Sequence, residues 1–224
     1  MVTEVIQFLT NHPYFASLDQ STLEQVAAVI VQRSVERDEH ILFEGDDPRA
    51  AYFVAHGRFR VYRLSPNGRE QALMDLLPGQ TFNIVPAIDG RPVVSNVMAR
   101  TNGELFIIHR DDFLHLIRSQ SSVAEAVLVD FSGRLRQLTN LVEDLSLRTV
   151  SQRLARLLVG MANEQSDGPR RFTQQELASR LGTVREVISR TLKSFEGDGL
   201  IRMERHQIAI LDYERLNAIA CQME

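Results

Sequence analysis

Cysteine is all but missing from this chain: Cys221 is the single one in 224 residues. One thiol excludes an internal disulfide, a CxxC zinc site and a cysteine-held iron–sulfur cluster, because each needs at least two sulfurs. Lysine is as scarce, Lys193 standing alone among 25 basic residues; genome composition can produce that bias, so no function is attached to it. No apolar run reaches the roughly 18 residues that mark a bilayer-spanning helix. The first residues lack the basic-then-apolar order of a secretory signal, so a cytoplasmic protein with no membrane partner is expected. Catalytic signatures are missing too: there is no P-loop, no GxSxG elbow, no HExxH and no His-x-His. An enzyme is therefore not expected, and neither is a metal site.

What remains is ordinary globular material, 44% hydrophobic and 24% charged, with a formal charge of −4 and a pI near 5.9. The charge is unevenly spread. Residues 148–224 carry 12 Arg/Lys against 10 Asp/Glu, and residues 1–147 carry 13 against 19, so the C-terminal third is near +2 and the rest near −6. A nucleic-acid surface can sit inside an acidic protein when the balance is divided in this way.

Hydrophobic periodicity divides the chain into three. Residues 3–33 read as helices, with Leu23, Val26, Ala27 and Ile30 at helical spacing. From Ser34 to about His109, short apolar or alternating runs such as HILFE, AYFVA, RFRVYRL, QALMDLL, VVSNVMA and ELFIIH alternate with turn signals, which predicts an antiparallel roll. From about Ser121 a long helix follows. Leu128, Phe131, Leu135, Leu138, Val142 and Leu145 recur at spacings of 3, 4, 3, 4 and 3. So narrow a stripe suits a two-helix coiled coil and hence a homodimer, the alternative being a helix resting on its own domain.

The most informative stretch is TQQELASRLGTVREVISRTLKSFEGDG, residues 173–199. Thr173 with Glu176 spells a capping box, Gly182 can end the first helix, and Thr183 with Glu186 spells a second box. Two short helices joined at a glycine predict a helix-turn-helix. In the second helix Val184, Val187, Ile188, Thr191 and Leu192 share one face, and Arg185, Glu186, Ser189, Arg190 and Lys193 the other. Arginine can bond guanine O6 and N7, glutamate can accept from cytosine N4, and serine can serve either way. LIRMERHQIAIL then reads as two strands around a turn, a small wing.

The chain resembles the cyclic-AMP receptor protein / fumarate–nitrate reductase regulator (CRP/FNR) superfamily of bacterial transcription factors. The resemblance rests on ILFEGD at 41–46, AYFVAHGRFRVYRL at 51–64, LLPGQTF at 76–82 and the helix-turn-helix itself. It implies an α+β protein: a jelly-roll-like β-roll (1–120), a dimerisation helix (121–148) and a winged helix-turn-helix (149–224). It further implies base reading by Arg185, Glu186, Ser189 and Arg190, and phosphate contacts from Thr173, Gln175, Thr183 and Lys193, on near-palindromic double-stranded DNA. RNA polymerase is a further partner of such proteins, and the EQSDGPRR loop (164–171) is one candidate contact.

Relatives that bind cyclic AMP carry a Gly-Glu pair for the ribose and an Arg-Ser pair for the phosphate after the Pro-Gly turn. The matching positions here are Asn83-Ile84 and Val93-Val94, with Arg91 displaced nearby. Valine and isoleucine cannot pair with a phosphate, so cyclic AMP is not the expected effector. Phe82, Asn83, Ile84, Val85, Val93 and Val94 are the candidate lining for an unidentified small effector. Haem, with His12, His40, His56, His109 or Met74 as ligand, is a weaker alternative, and an effector-independent DNA-binding regulator is another.

Overall fold

The computed structural model describes residues 2–68, 70–163, 173–204 and 207–221. The chain divides into two compact units, one of residues 1–63 and 73–135, the other of residues 64–72 and 136–224. Among the described residues no helix is long and apolar enough to cross a membrane.

The first unit begins with α1 (Val2–Asn11) and α2 (Gln20–Val29), the latter capped by Asp19, whose carboxylate accepts from the Thr22 amide at 2.7 Å. The helix expected to run on to residue 33 stops at Val29, and β1 (Ile30–Val35) begins at once. Ile30 and Val31 fit a helical period, yet they are β-branched and face Ile108 and Ile107 of β8 (Gly103–His109) across an antiparallel ladder. Strand pairing overrides the local pattern there.

Two four-stranded antiparallel sheets form the roll. One has the order β1-β8-β3-β6, with β3 at Ala50–His56 and β6 at Thr81–Phe82. The other runs β2-β7-β4-β5, built from His40–Leu42, Asn96–Ala99, Phe59–Leu64 and Glu70–Leu76. Strand β3 explains the layering. Its first six residues are all buried, and they alternate: Ala51, Phe53 and Ala55 join a core against the helices, whereas Ala50, Tyr52 and Val54 face the roll interior. A strand covered on both faces reads as a continuous apolar run, as AAYFVA does.

The His56–Gly57 turn lies against Gly103 too closely for any side chain. Gly57 has φ +90°, and a Cβ on Gly103 would sit 2.5 Å from the His56 carbonyl oxygen. Helices α3 (Ile84–Asp89) and α4 (Arg110–Ser119) complete the unit's helical layer, with Ile84 and Phe113 buried beside Phe53. Neither short helix was expected from the sequence.

Helix α5 (Ser121–Leu147) is the long helix. Its first half lies on the helical core through Val123, Val127 and Phe131.

The second unit holds α6 (Val150–Asn163), α7 (Gln174–Leu181), α8 (Arg185–Gly197), the hairpin β9 (Ile201–Glu204) and β10 (Gln207–Ile210), and α9 (Tyr213–Cys221). Leu154, Leu158, Leu177, Ile188, Leu192 and Leu216 are among the side chains of its core. A reciprocal cap starts α6: the Thr149 amide donates to Gln152 Oε1 at 2.7 Å and the Gln152 amide to Thr149 Oγ1 at 3.3 Å. The T-x-x-Q spacing of residues 149–152 is the sequence signature of this cap.

Candidate nucleic-acid interface

The interface is built around the α7–α8 turn. Thr173 caps α7, its hydroxyl accepting from the Glu176 amide at 3.1 Å. Gly182 ends the helix in the left-handed region, φ +62°, with its amide donating to the Ala178 carbonyl. The expected second capping box does not form. Helix α8 starts at Arg185 with Val184 as its cap, and no side chain accepts there. The amide of Thr183 instead returns to the Ala178 carbonyl at 3.0 Å, so the turn consumes the residue that the motif needed.

Ile188, Leu192 and Phe195 fix the rotation of α8 by inserting into the unit's core. Val187 and Thr191 flank them half-buried, whereas Val184, expected on this packing face, is exposed. Phe195 belongs to the same i, i+3, i+4 row as Ile188 and Leu192 and was not singled out from the sequence. The opposite face carries Arg185, Glu186, Arg190 and Lys193 in the open, with Ser189 half-buried among them. None of these five side chains has an ion pair or hydrogen bond to another described residue.

Of the residues expected to hold phosphates, Thr173 and Gln175 are exposed at the start of α7, Thr183 is half-buried in the turn, and Lys193 is exposed on α8. Thr173 keeps its hydroxyl proton free to donate, because in the cap it acts as an acceptor. The wing forms as a two-stranded antiparallel hairpin, with Arg202 exposed on β9, a cation that no motif in the sequence marks. The wing tip and the 164–171 loop lie outside the described residues.

On the long helix, Leu128, Leu135, Leu138, Val142 and Leu145 are exposed, by 41–66%. Phe131 leaves this stripe and packs against the helical core of its own unit.

The six residues expected to line an effector pocket do not converge. Phe82 and Val93 are buried in the roll interior, Ile84 is buried in the helical core, and Val85 and Val94 are exposed. Asn83 stands between, at φ +60°, with its side-chain amide donating to the Ala50 carbonyl at 2.8 Å. That left-handed residue redirects the chain, so neighbours in sequence enter different cores. Phe82 stacks on Tyr52 with ring centroids 4.8 Å apart and lies 6.1 Å from Phe59.

The candidate haem ligands are scattered. His40 stacks on Phe43 and shares a hydrogen bond with the Tyr62 hydroxyl, and His56 and His109 are exposed. Met74 packs half-buried against the roll interior. His12 is buried among Phe8, Tyr14, Phe15 and Phe53, with Nδ1 accepting from the Tyr14 amide at 3.1 Å. Burial lowers its pKa to about 4, partly offset by the Asp130 charge and the Gly79 carbonyl. Glu4, His56 and Glu104 bring three potential metal-binding atoms within 4.8 Å of one another, with Glu4 and His56 exposed.

Comparison with known proteins identifies this architecture. Residues 32–120 match the model of the cyclic nucleotide-binding domain, and residues 152–219 match that of the Crp-like helix-turn-helix domain. The chain belongs to the CRP/FNR family. It is a DNA-binding transcription regulator of that type. The cyclic AMP receptor protein of Thermus thermophilus is 27% identical over 212 residues, 95% of this chain and 98% of that protein. The transcriptional activator protein FnrL of Cereibacter sphaeroides is 25% identical over 89% of this chain and 83% of its own length. In fold, a crystal structure from Eubacterium rectale described as a regulator of the CRP/FNR type superposes with a TM-score of 0.80 at 23% identity, covering 94% of this chain and 98% of that one. The relatives of this CRP/FNR chain are regulators, not enzymes.

Proposed function

We propose that the protein is a homodimeric, sequence-specific regulator in which α8 enters the major groove of a near-palindromic operator. The observation that carries this reading is the open face of α8, where Arg185, Glu186, Ser189 and Arg190 have bonding groups committed to no described neighbour. Arg190 and Glu186 read bases, Arg185 and Ser189 add outer contacts, and Thr173, Gln175, Thr183 and Lys193 hold phosphates. The exposed stripe from Leu128 to Leu145 supports dimerisation through α5. Half-site centres then fall about one helical turn apart.

The β-roll serves as the effector domain, and its effector is not cyclic AMP. At the ribose and phosphate positions stand Asn83-Ile84 and Val93-Val94, and of these only Asn83 offers a polar side chain. A second reading, DNA binding without an effector, draws on the Tyr52–Phe82 stack that occupies the roll interior. The dispersed histidines lend haem no support. RNA polymerase enters as a partner through the family likeness alone.

Selection from a randomised duplex library tests the main reading, followed by anisotropy on the selected and a scrambled duplex. Arg190→Ala is expected to weaken the selected site by about 1–3 kcal/mol and the scrambled one much less. Equal weakening on both would remove Arg190 from base reading. Failure to select any two-fold sequence would overturn the dimeric operator.

A further inference from the structure

Three side chains far apart in sequence meet where α1 lies over one end of the β3–β8 ladder. Among the described residues, Glu4, His56 and Glu104 each offer a ligand atom within 4.8 Å of the other two. The packing explains their meeting. Phe8 of α1 meets Phe106 of β8 edge to face, with ring centroids 4.9 Å apart. Glu4 lies one helical turn before Phe8, and Glu104 two strand residues before Phe106, offsets of about 6 Å and about 7 Å. The aromatic contact thus sets the two carboxylates side by side.

A β-bulge brings in His56. In β3, Ala51, Phe53 and Ala55 face the helical layer, so strict alternation would turn His56 away from it. The ladder slips between Val54 and His56: Val54 pairs with Leu105 and His56 with Glu104, two steps against one. The extra residue re-aims His56 onto the face that Glu104 shares with Phe106 and Ile108. Gly57 and Gly103 permit the close approach, since a Cβ on Gly103 would lie 3.2 Å from the Gly57 Cα. His56 Nε2 stands 3.6 Å from Glu4 Oε1.

The charges of this group are unbalanced. Among the described residues His56 is the one partner of the Glu4 carboxylate, and the half-buried Glu104 carboxylate has none. Two carboxylates so close repel each other unless a cation stands between them. One imidazole and two carboxylates suit a first-row divalent ion. The set has no sulfur to select copper(I), and calcium and magnesium prefer oxygen alone. Tetrahedral zinc, with bonds of about 2.0–2.1 Å, spaces its ligand atoms about 3.4 Å apart. The Glu4–His56 separation is already near that value, and rotation of exposed side chains closes the rest.

We propose that Glu4, His56 and Glu104 form a zinc site that ties the start of α1 to the end of the β3–β8 ladder, with water in the fourth position. The site belongs wholly to the first unit and stands or falls apart from the DNA-binding face.

Equilibrium dialysis of the full-length protein against Zn2+, followed by elemental analysis, tests it. Wild type is expected to take up one Zn2+ per chain. Glu4→Gln, His56→Gln and Glu104→Gln should each weaken uptake by about ten-fold or more, since even the hydrogen-bond partners of metal ligands are worth that much. Cys221→Ser and His115→Gln should leave uptake unchanged. Zinc should also slow hydrogen exchange in α1 of wild type and not of Glu4→Gln. No saturable uptake by wild type, uptake that survives all three substitutions, or uptake lost in Cys221→Ser would overturn the site. Uptake that needs His56 and Glu104 but not Glu4 would overturn the tie to α1. Circular dichroism checks that each variant is folded, and where one is not, the other two decide.

Discussion

Replacing Leu135 with glutamate should break the dimer and leave the folded subunit intact. Leu135 is 66% exposed on the single chain, so most of its side chain remains to be covered by a partner. Full burial of a leucine is worth about 1.5–3 kcal/mol, and two-thirds of that is about 1–2 kcal/mol per chain. Two-fold symmetry counts it twice, giving about 2–4 kcal/mol, a 30-fold to nearly 1,000-fold rise in the dimer dissociation constant. The charge of the introduced carboxylates adds to this. Sedimentation equilibrium of wild type and variant over a wide concentration range reads the constant directly. Phe131→Ala is the contrasting variant: Phe131 packs on its own unit, so its loss should lower the unfolding free energy more than it alters association. An unchanged dissociation constant for Leu135→Glu, or a monomeric wild type at hundreds of micromolar, would refute the pairing of α5 through this stripe.

Other consequences are equally open to measurement. Folded His12 has its pKa depressed to about 4 from 6.5, so the unfolded chain takes up the proton first as pH falls. Stability should be lost between pH 6.5 and 4, by up to about 3 kcal/mol from this group. Urea denaturation should show a shallower acid loss in His12→Phe than in wild type, and parallel pH profiles would rule His12 out as the cause. Gly103→Ala forces a Cβ to 2.5 Å from the His56 carbonyl and should cost about 1–3 kcal/mol; a melting temperature equal to wild type would contradict the tight turn. Thr149→Val removes one half of the α6 cap and should cost about 1 kcal/mol, with Thr149→Ser recovering most of it.

Much of this architecture was legible in the residues because local and tertiary demands agree. Gly182 ends α7 because its left-handed φ suits glycine, and the α8 core row keeps a helical period. The departures occur where a second demand intrudes. Ile30 satisfies a helical period until β8 offers it a strand partner. Thr183 and Glu186 spell a cap, but the glycine turn takes the Thr183 amide first. Phe131 fits the seam spacing exposed elsewhere on α5, yet the first half of that helix must also cover its own core. The expected effector lining comes from two stretches, 82–85 and 93–94; the left-handed Asn83 sends Phe82 and Ile84 into different cores, and Val93 and Val94 divide between core and surface. Spacing along a chain carries no information about such a reversal.

Strand β3 is a party wall. Helical layer and roll interior lean on opposite sides of the same six residues, and three of them are alanine, which sets the wall's thickness. Enlarging a side chain on either side presses on a room that is already full. A lineage remodelling what the roll holds would therefore find little freedom in β3. Freer ground lies at outward positions of β4 such as Arg63, which is exposed and turned away from the roll's apolar filling. The wall is held fixed from both of its faces; heritable change can accumulate at exposed positions such as Arg63.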